Sequence, residues 1–295
     1  MSPPKVFLTG SSGYVGGDLL YALLSAHPDW ESSITLLLRN TSYAATFKSA
    51  YPKINLFFAS HKDKAAIAEE VAKHDLVLHF ALSADHLPSA EAIVSGLEAR
   101  GGGIYIHTSG TDIFDDWEGI GEVRSLPDAA PHRNVDKFVL SSGSDALKTA
   151  IICPSTVYGT GRGLISQRSA QIPNLAKLVL QPKKGLQLSD GKTFWNCVHV
   201  YDLSRLYVRL IEEATSGGEV TWNEEGYYLV ESGTYFWGDI SEESQRKHTA
   251  LAKTVRARKL LGWSPVERPV EEEIPTIVLA EARFLGLQTQ VASED

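Results

Sequence analysis

Residues 6–16 read VFLTGSSGYVG, and this stretch decides the fold. It starts with an apolar run of strand length, continues with glycines at positions 10, 13 and 16, and leads into a helix-length segment, residues 14–26. Glycine permits a tight turn and a close backbone approach to a pyrophosphate. The N-terminus of the following helix supplies N–H groups and the positive end of a dipole. The stretch therefore predicts a dinucleotide-binding turn, with candidate contacts at Gly10, Ser12, Gly13, Tyr14 and Val15.

Strand-length apolar runs alternate with helix-length segments through the first half of the chain. The runs occupy residues 5–9, 33–38, 54–58, 76–80, 104–108 and 149–153, and the clearest helical segments are residues 14–26, 64–73 and 89–99. Near-continuous apolar runs are typical of parallel strands covered on both faces, so the alternation predicts an α/β fold with a Rossmann-type, doubly wound parallel sheet. After Pro154 the alternation gives way to glycine-containing loops.

The same change in pattern suggests how the chain divides into domains. We expect residues 1–155 to form an NAD(P)-binding Rossmann domain, with residues 194–215 returning to it. Residues 156–295 are expected to form mainly a smaller C-terminal substrate lobe.

Composition and charge narrow the classes of partner. Lysine and arginine total 28 against 36 aspartates and glutamates, giving a formal net charge of −8. No stretch gathers enough basic side chains to follow a phosphate backbone, so no nucleic acid partner is expected. No apolar run approaches the ~18 residues of a membrane span, and residues 1–5 leave no room for a signal peptide. Cys153 and Cys197 lie in apolar runs and are expected to be buried free thiols, which suits a cytoplasmic location. No metal site is predicted.

The end of the second predicted strand bears on the choice of cofactor. A Rossmann unit usually places an acidic residue there to bind the adenosine ribose 2′-hydroxyl, but residues 36–40 read LLLRN and contain no carboxylate. Arg39, followed by Asn40, can instead meet a 2′-phosphate. A charge-assisted hydrogen bond of ~1.5–3 kcal/mol would favour NADP (NADPH) over NAD by about 10- to 100-fold. The alternative is a solvated arginine at the end of a strand.

Several further motifs resemble those of the extended short-chain dehydrogenase/reductase family, which includes sugar epimerases, dehydratases and dihydroflavonol-type reductases. The similarity covers almost the full length of the chain. Besides the glycine turn, it rests on VLHFALSAD at 77–85, IHTSGT at 106–111, IICPSTVYG at 151–159, WNCVHVYD at 195–202 and LLGWSP at 260–265. Cys153 stands where the family usually has arginine.

The resemblance implies further cofactor contacts. Phe80, Ala81 and Leu82 would lie beside the ribose and pyrophosphate. The segment containing Pro154, Ser155, Thr156 and Val157 would hold the nicotinamide carboxamide. The family also commonly forms homodimers through helices that flank the sheet, so a homodimer is a candidate state.

The chain departs from the family where a YxxxK pair would precede the sixth strand, because residues 132–137 read HRNVDK. Aligning Lys137 with the family's lysine puts Arg133 at the tyrosine position, and no tyrosine occurs between Tyr105 and Tyr158. In the family the tyrosine exchanges a proton with the substrate oxygen and the lysine holds the nicotinamide ribose. A guanidinium stays protonated, so Arg133 could stabilise an oxyanion or clamp a carboxylate but could not shuttle a proton. Lys137 could still hold the ribose.

Other residues are candidates to polarise the substrate oxygen. The family's usual third small residue of the serine strand falls on Gly110, which leaves Ser109 or Thr111 as substitutes. His132 is the nearest side chain that titrates near neutrality and could act as general acid, although a lone loop histidine is often structural or solvent-exposed.

Three functions remain open from the sequence. The first is an NADP(H)-dependent oxidoreductase that acts on a carbonyl or hydroxyl of a small or medium metabolite. The second is a non-redox lyase, isomerase or cyclase in which Arg133 binds an anionic intermediate. The third is a non-catalytic NADP(H) sensor or regulatory protein. Fold resemblance alone does not choose between them.

Overall fold

The structure is a computed structural model that describes residues 3–110, 116–117, 123, 125–181, 192–218, 220–236, 247–249, 251–252 and 254–287. Its strands are β1 (Val6–Thr9), β2 (Ile34–Leu38), β3 (Asn55–Phe58), β4 (Leu76–His79), β5 (Gly103–Thr108), β6 (Asp116–Trp117), β7 (Leu147–Pro154), β8 (Thr156–Tyr158), β9 (Lys192–His199), β10 (Tyr227–Val230), β11 (Gly233–Phe236), β12 (Lys247–Thr249) and β13 (Leu251–Ala252).

Seven of these strands form one parallel sheet in the order β10-β7-β5-β4-β1-β2-β3. The predicted α/β, doubly wound sheet is therefore confirmed, and the six predicted runs all lie in it. The strand β10, which extends the sheet beside β7, was not predicted. The chain runs outward from β1 to β3 and then returns to β4 on the other side of β1. At such a reversal the carboxyl ends of the two strands open a crevice that binds ligands in this fold class.

Helices cover both faces of the sheet. They are α1 (Tyr14–Ala26), α2 (Ala44–Ala50), α3 (Lys64–Val71), α4 (Leu87–Arg100), α5 (Arg133–Ser141), α6 (Gln171–Leu180), α7 (Val200–Ser216), α8 (Val255–Leu261) and α9 (Val270–Phe284). One core cluster joins α1 and α7 to the sheet, and a second joins α3, α4 and α5 to the opposite face. Because both faces are covered, every residue of β1, β2 and β4 is buried. This explains the near-continuous apolar runs in the sequence.

A smaller sheet lies in the second half of the chain. β9 pairs with β8, β11 and β12, and helices α6 and α9 pack against each other nearby. A third core cluster there includes Tyr158, Ile172 and Tyr235. The division of the chain into domains at residue 155 stays a prediction. Both cysteines are buried and free, and no helix among the described residues is long and apolar enough to cross a membrane.

Two of the motifs that suggested the family contact each other. The indole Nε1 of Trp263 donates to the backbone oxygen of Asp202 at 2.9 Å. The carboxylate of Asp202 accepts from the backbone N–H groups of Val266 at 2.9 Å and Glu267 at 3.2 Å. Asp202 is fully buried. The pair of motifs therefore fixes the segment after α8 onto the start of α7, beside the Rossmann sheet.

Candidate functional site

The turn after β1 requires glycine for steric reasons. Gly10 has a φ of +78°, and a Cβ placed on it would lie 2.8 Å from the Cβ of Phe80 and 2.9 Å from the backbone nitrogen of Ala81. A Cβ on Gly16 would lie 2.5 Å from the carbonyl oxygen of Gly10. These short distances show that β1, the loop after β4 and helix α1 approach each other too closely for side chains at positions 10 and 16. The turn therefore forms a backbone cradle at the crevice.

The N-terminus of α1 is open to an anion. Its N-cap, Gly13, provides no side-chain cap, and the first turn contains no acidic residue. The first N–H groups of a helix have no acceptor within it, and they carry the positive end of its dipole. The hydroxyl of Tyr14 lies 2.9 Å and 2.7 Å from the carbonyl oxygens of Tyr158 and Gly159, so it is hydrogen-bonded within the protein. It is therefore the backbone of Ser12, Tyr14 and Val15, rather than the side chain of Tyr14, that suits a pyrophosphate.

The loop after β4 forms the neighbouring wall. Thr9 fixes it, because its Oγ1 accepts from the backbone N–H groups of Phe80 and Ala81, both at 3.1 Å. Leu82 then adopts a left-handed conformation with a φ of +51°, and its side chain is exposed. Non-glycine residues in this region are strained and are often found at functional sites. The loop thus presents an apolar side chain at the edge of the crevice.

Two other predicted cofactor segments lie at carboxyl ends of strands. Arg39 follows β2 directly and is exposed, while the Oδ1 of Asn40 accepts from the N–H of Ser42 at 3.0 Å and caps a short helical turn. Pro154 ends β7, and Ser155 is held by β10, because both its N–H and its hydroxyl donate to the carbonyl oxygen of Val230 at 3.0 Å. Thr156 is buried and Val157 is half-buried, both in β8.

The predicted catalytic residues do not all converge. Ser109 is buried, and its hydroxyl donates to the Oδ2 of Asp136 at 2.8 Å. Arg133 begins α5 and is buried. The Nζ of Lys137 lies 2.9 Å and 3.1 Å from the two carboxylate oxygens of Asp128, and both of these side chains are exposed. Thr111 lies outside the described residues.

His132, the residue before α5, is placed differently. It has a φ of +62°, and its side chain is mostly buried. Its Nδ1 lies 2.7 Å from the Oδ1 of Asp85, in the short helix that follows the β4 loop. Its Nε2 lies 3.2 Å from the position that a Cβ on Gly110 would occupy. The structure therefore brings His132 beside the position where the resemblance places the family's serine, and it adds a carboxylate that the sequence did not single out.

A buried polar network beneath these residues was also missed. Asp136 is 2% exposed and accepts from both Ser109 and the hydroxyl of Tyr227, the latter at 3.0 Å. Its Oδ1 lies 3.7 Å from the Nε2 of His107. Desolvation raises the pKa of Asp136 to about 6, although hydrogen bonds from Ser109 and Tyr227 oppose the shift.

The network continues along β5 to β4. The hydroxyl of Tyr105 lies 3.1 Å from the Nδ1 of His107 and 2.8 Å from the Nδ1 of His79. Burial lowers the pKa of His79 to about 3 and that of His107 well below its usual range, so both rings are neutral. Residues 105 and 107 alternate along β5, and Ser109 follows its end with the same spacing, so their side chains lie on one face of the sheet. This alternation was the sequence feature that could have grouped them.

Comparisons with known proteins are consistent with this geometry. No family model matches the chain. Solved structures with the same fold include UDP-glucose 4-epimerase from Thermotoga maritima, with a TM-score of 0.68, 14% identity and coverage of 95% of this chain and 99% of that one. DesIV, a dTDP-glucose 4,6-dehydratase from Streptomyces venezuelae, gives a TM-score of 0.69, 17% identity and coverage of 95% and 97%. At such identities the likeness shows the fold alone.

A relative of higher identity extends the likeness to the sequence. The oxidase ucsJ of an Acremonium species is 32% identical over an alignment of 347 positions, which covers 96% of this chain and 99% of that protein. The chain belongs to the extended short-chain dehydrogenase/reductase family. An uncharacterised member of this group of relatives, from Saccharomyces cerevisiae, is 26% identical over 72% of both chains. The oxidase name of this relative and the epimerase and dehydratase names of the solved structures support an enzyme of the NAD(P)-dependent short-chain dehydrogenase/reductase type.

Proposed function

We propose that the protein is an NADP(H)-dependent oxidoreductase that acts on a carbonyl or hydroxyl group of a small or medium metabolite. The observation that carries the proposal is the glycine cradle at Gly10 under the uncapped N-terminus of α1. A cradle without side chains next to unpaired helix N–H groups suits a pyrophosphate. The oxidase name of the Acremonium relative and the NAD that the DesIV structure contains are consistent with redox chemistry on a nicotinamide cofactor.

In this proposal the cofactor is held largely by backbone. The turn at Gly10, Ser12, Gly13, Tyr14 and Val15 binds the pyrophosphate. The loop at Phe80, Ala81 and Leu82 lies against the adjoining ribose and pyrophosphate, and the segment Pro154, Ser155, Thr156 and Val157 holds the nicotinamide carboxamide.

The preference for NADP rests on the end of β2. Arg39 is exposed there, at the position where a carboxylate would favour NAD, and Asn40 lies beside it. A planar guanidinium can form two hydrogen bonds with a phosphate, whereas it gains little from a ribose hydroxyl.

When bound, the nicotinamide supplies or accepts the hydride. The protein has to orient the substrate oxygen, stabilise its charge and exchange one proton with it. Ser109, Thr111, His132 and Arg133 are the candidates to polarise that oxygen. Lys137 would hold the nicotinamide ribose only after leaving Asp128.

The remaining parts of the proposal concern the surroundings of the enzyme. The substrate is a small molecule that enters from the second lobe, and the enzyme works in the cytoplasm. A homodimer formed through helices that flank the sheet is the proposed assembly.

A second function is favoured by one observation. The ion pair of Lys137 with Asp128 points the family's lysine to solvent, and the sequence lacks the family's tyrosine. A protein that keeps the cofactor turn but not this pair could bind NADP(H) as a sensor, or use the pocket for non-redox chemistry with Arg133 holding an anionic intermediate.

One experiment separates these functions. The purified protein is titrated with NADPH and with NADH by nicotinamide fluorescence, and the absorbance of the nicotinamide is then followed against a panel of aldehydes, ketones and alcohols. Tighter NADPH binding, with oxidation that requires a carbonyl, is the expected result. Binding without turnover would support the sensor or the non-redox enzyme, and the absence of binding to either nucleotide would contradict all three.

A further inference from the structure

We propose that His132 and Asp85 form the proton-transfer pair of this enzyme, with Gly110 leaving the space that the pair requires. His132 is the catalytic residue, which exchanges a proton with the substrate oxygen. Asp85 is a positioning residue, which acts through the imidazole. This inference rests on the proposed oxidoreductase function, and it assigns the exchange that the family's tyrosine would otherwise perform.

The first argument is the orientation of the imidazole. The Oδ1 of Asp85 lies 2.7 Å from the Nδ1 of His132, a distance typical of a hydrogen bond to a carboxylate. A carboxylate can only accept, so the proton of this bond belongs to Nδ1. The hydrogen bond at one ring nitrogen sets the role of the other. The Nε2 of His132 is therefore the atom left to exchange a proton.

The second argument is the fit between the ring and Gly110. A Cβ on Gly110 would lie 3.2 Å from Nε2 and 3.5 Å from Cδ2 of His132. The first distance is tighter than an ordinary van der Waals contact, so a side chain at position 110 would require the ring to shift by a few tenths of an ångström. Gly110 and His132 therefore fit each other, because the imidazole ring lies close to the space that a side chain on residue 110 would need. The contact places Nε2 beside Gly110, which follows the end of β5.

The third argument is backbone strain. Among the described residues, three that are not glycine have a positive φ, namely Leu82, His132 and Asn223. Two of these lie at the candidate site. Leucine tolerates this region poorly, whereas histidine is among the residues that adopt it more readily. Strain of this kind persists where the surrounding structure holds it, and it is concentrated at functional sites. His132 has this backbone conformation while its ring lies between Asp85 and Gly110.

The charged and titratable groups around His132 come from three elements. Asp85 faces it from the short helix after the β4 loop, and Asp136 and His107 act on it electrostatically from α5 and β5. Arg133 is its neighbour in the chain. Burial keeps His107 neutral, so this ring adds no positive charge beside His132.

The proton balance of the reduction is simple. The hydride reaches the carbonyl carbon from NADPH, and the carbonyl π bond gives its electron pair to the oxygen. The Nε2–H bond of the protonated imidazole breaks and an O–H bond forms, which leaves a neutral ring that keeps its Nδ1–H on Asp85. Oxidation of the alcohol reverses each step.

A first test needs no substrate. In the protein labelled with [¹⁵N]histidine, NMR gives the tautomer of each neutral ring, and His132 is assigned by the signal that His132→Ala removes. We expect an Nδ1–H tautomer that is lost in Asp85→Ala. We also expect NADP⁺ to shift the Nε2 signal of His132 but not that of His27, which lies 3.0 Å from Glu212 and is the control. The proposal would be overturned by an Nε2–H tautomer of His132 that is unchanged in Asp85→Ala. It would also be overturned if the His132 signal did not respond to bound NADP⁺.

A second test uses the carbonyl substrates found by the panel. His132→Ala is expected to lower kcat by about 10²- to 10⁴-fold without weakening NADPH binding, and added imidazole should restore part of the rate. Asp85→Ala should lower kcat by about 10- to 100-fold alone and should have no further effect in the His132→Ala background. A structural role for Asp85 would give additive losses instead. His27→Ala is the matched control and should leave the rate unchanged.

The two proposals fail in different ways. If the unmodified protein oxidises NADPH with a carbonyl and His132→Ala keeps more than half of the rate, the pair is wrong and the oxidoreductase stands. If the unmodified protein turns over no carbonyl or alcohol, the proposed oxidoreductase function is wrong. The catalytic role of His132 and Asp85 is then wrong as well, even where the NMR shows the expected tautomer. Gly110→Ala adds a geometric check, since it should lower the rate in the presence of His132 and have no effect in its absence.

Discussion

The turn after β1 and the segment that leads into α5 contribute to the same candidate site in different ways. The turn is built from backbone, and its glycines are required because a Cβ on Gly10 or Gly16 would lie under 3.0 Å from other atoms. The start of α5 contributes the side chains of His132 and Arg133. The resemblance predicts a tyrosine at position 133, where this chain has Arg133, and His132 lies next to it. The difference teaches that steric limits fix the residue type in the turn, whereas no such limit fixes the candidate catalytic side chains at the start of α5.

The largest effect is expected at the turn. Gly10→Ala forces a side chain into a left-handed backbone, which costs ~1–2 kcal/mol. It also places a Cβ 2.8 Å from Phe80 and 2.9 Å from the backbone of Ala81. We expect a loss of stability of about 3 kcal/mol or more and no measurable NADPH binding. Thermal unfolding and fluorescence titration measure the two effects.

Gly217→Ala is a matched control for this prediction. Gly217 has nearly the same φ, +77° against +78°, but nothing lies within 4 Å of its Cβ position. It ends α7, away from the turn. Its substitution should therefore show the backbone strain alone and leave NADPH binding intact. Equal losses in the two variants would mean that the close approach to the β4 loop is not what requires glycine at position 10.

The next largest effect is a pH-dependent change in stability that arises from Asp136, in the buried polar network below α5. The pKa of Asp136 is raised from 3.8 to about 6 in the folded protein, so the folded state binds a proton that the unfolded state releases between these values. The stability from this group is complete below about pH 4 and is lost as the pH rises through about 6, by about 3 kcal/mol. Asp136→Asn keeps an acceptor for Ser109 and Tyr227 but does not titrate.

Urea unfolding of both proteins at pH 4 and pH 7.5 measures this difference. The stability of Asp136→Asn relative to the unmodified protein should rise between the two pH values. Parallel curves would show that Asp136 is ionised in the folded state at both, and the network would then hold a carboxylate rather than a carboxylic acid.

A smaller effect is expected at the far end of the cofactor site. Arg39→Ala should weaken NADPH binding by about 10- to 100-fold, which corresponds to the loss of a charge-assisted hydrogen bond of ~1.5–3 kcal/mol. NADH has no 2′-phosphate and serves as the internal control, so its dissociation constant should change less than about twofold. An equal loss for both nucleotides would assign Arg39 a structural role.

The cofactor side of the site could be predicted further than the catalytic side, for physical reasons. A strand buried on both faces leaves an apolar run, and a turn without room for Cβ leaves glycines, so both are visible in sequence. The contact of Asp85 with His132 joins residues 47 positions apart, and nothing in the residue types marks it. The strand β10 was missed because its aromatic run stands outside the strand–helix alternation. Asp136 resembled a surface residue of a polar helix until the fold placed it against β5 and β10.

The smallest effect is expected at Lys137, and it tests the comparison most directly. If α5 kept the family's arrangement, Lys137→Met would remove a contact with the nicotinamide ribose and weaken NADPH binding at least tenfold. In this structure the Nζ of Lys137 is bonded to Asp128, and both side chains are exposed to solvent. Exposed ion pairs contribute little to stability. We therefore expect a change of less than about twofold in the NADPH dissociation constant and no change in the unfolding temperature. Asp128→Ala should behave in the same way. A tenfold loss confined to Lys137→Met would mean that the lysine leaves Asp128 when the cofactor binds, so that the start of α5 changes the family's proton donor while keeping its grip on the ribose.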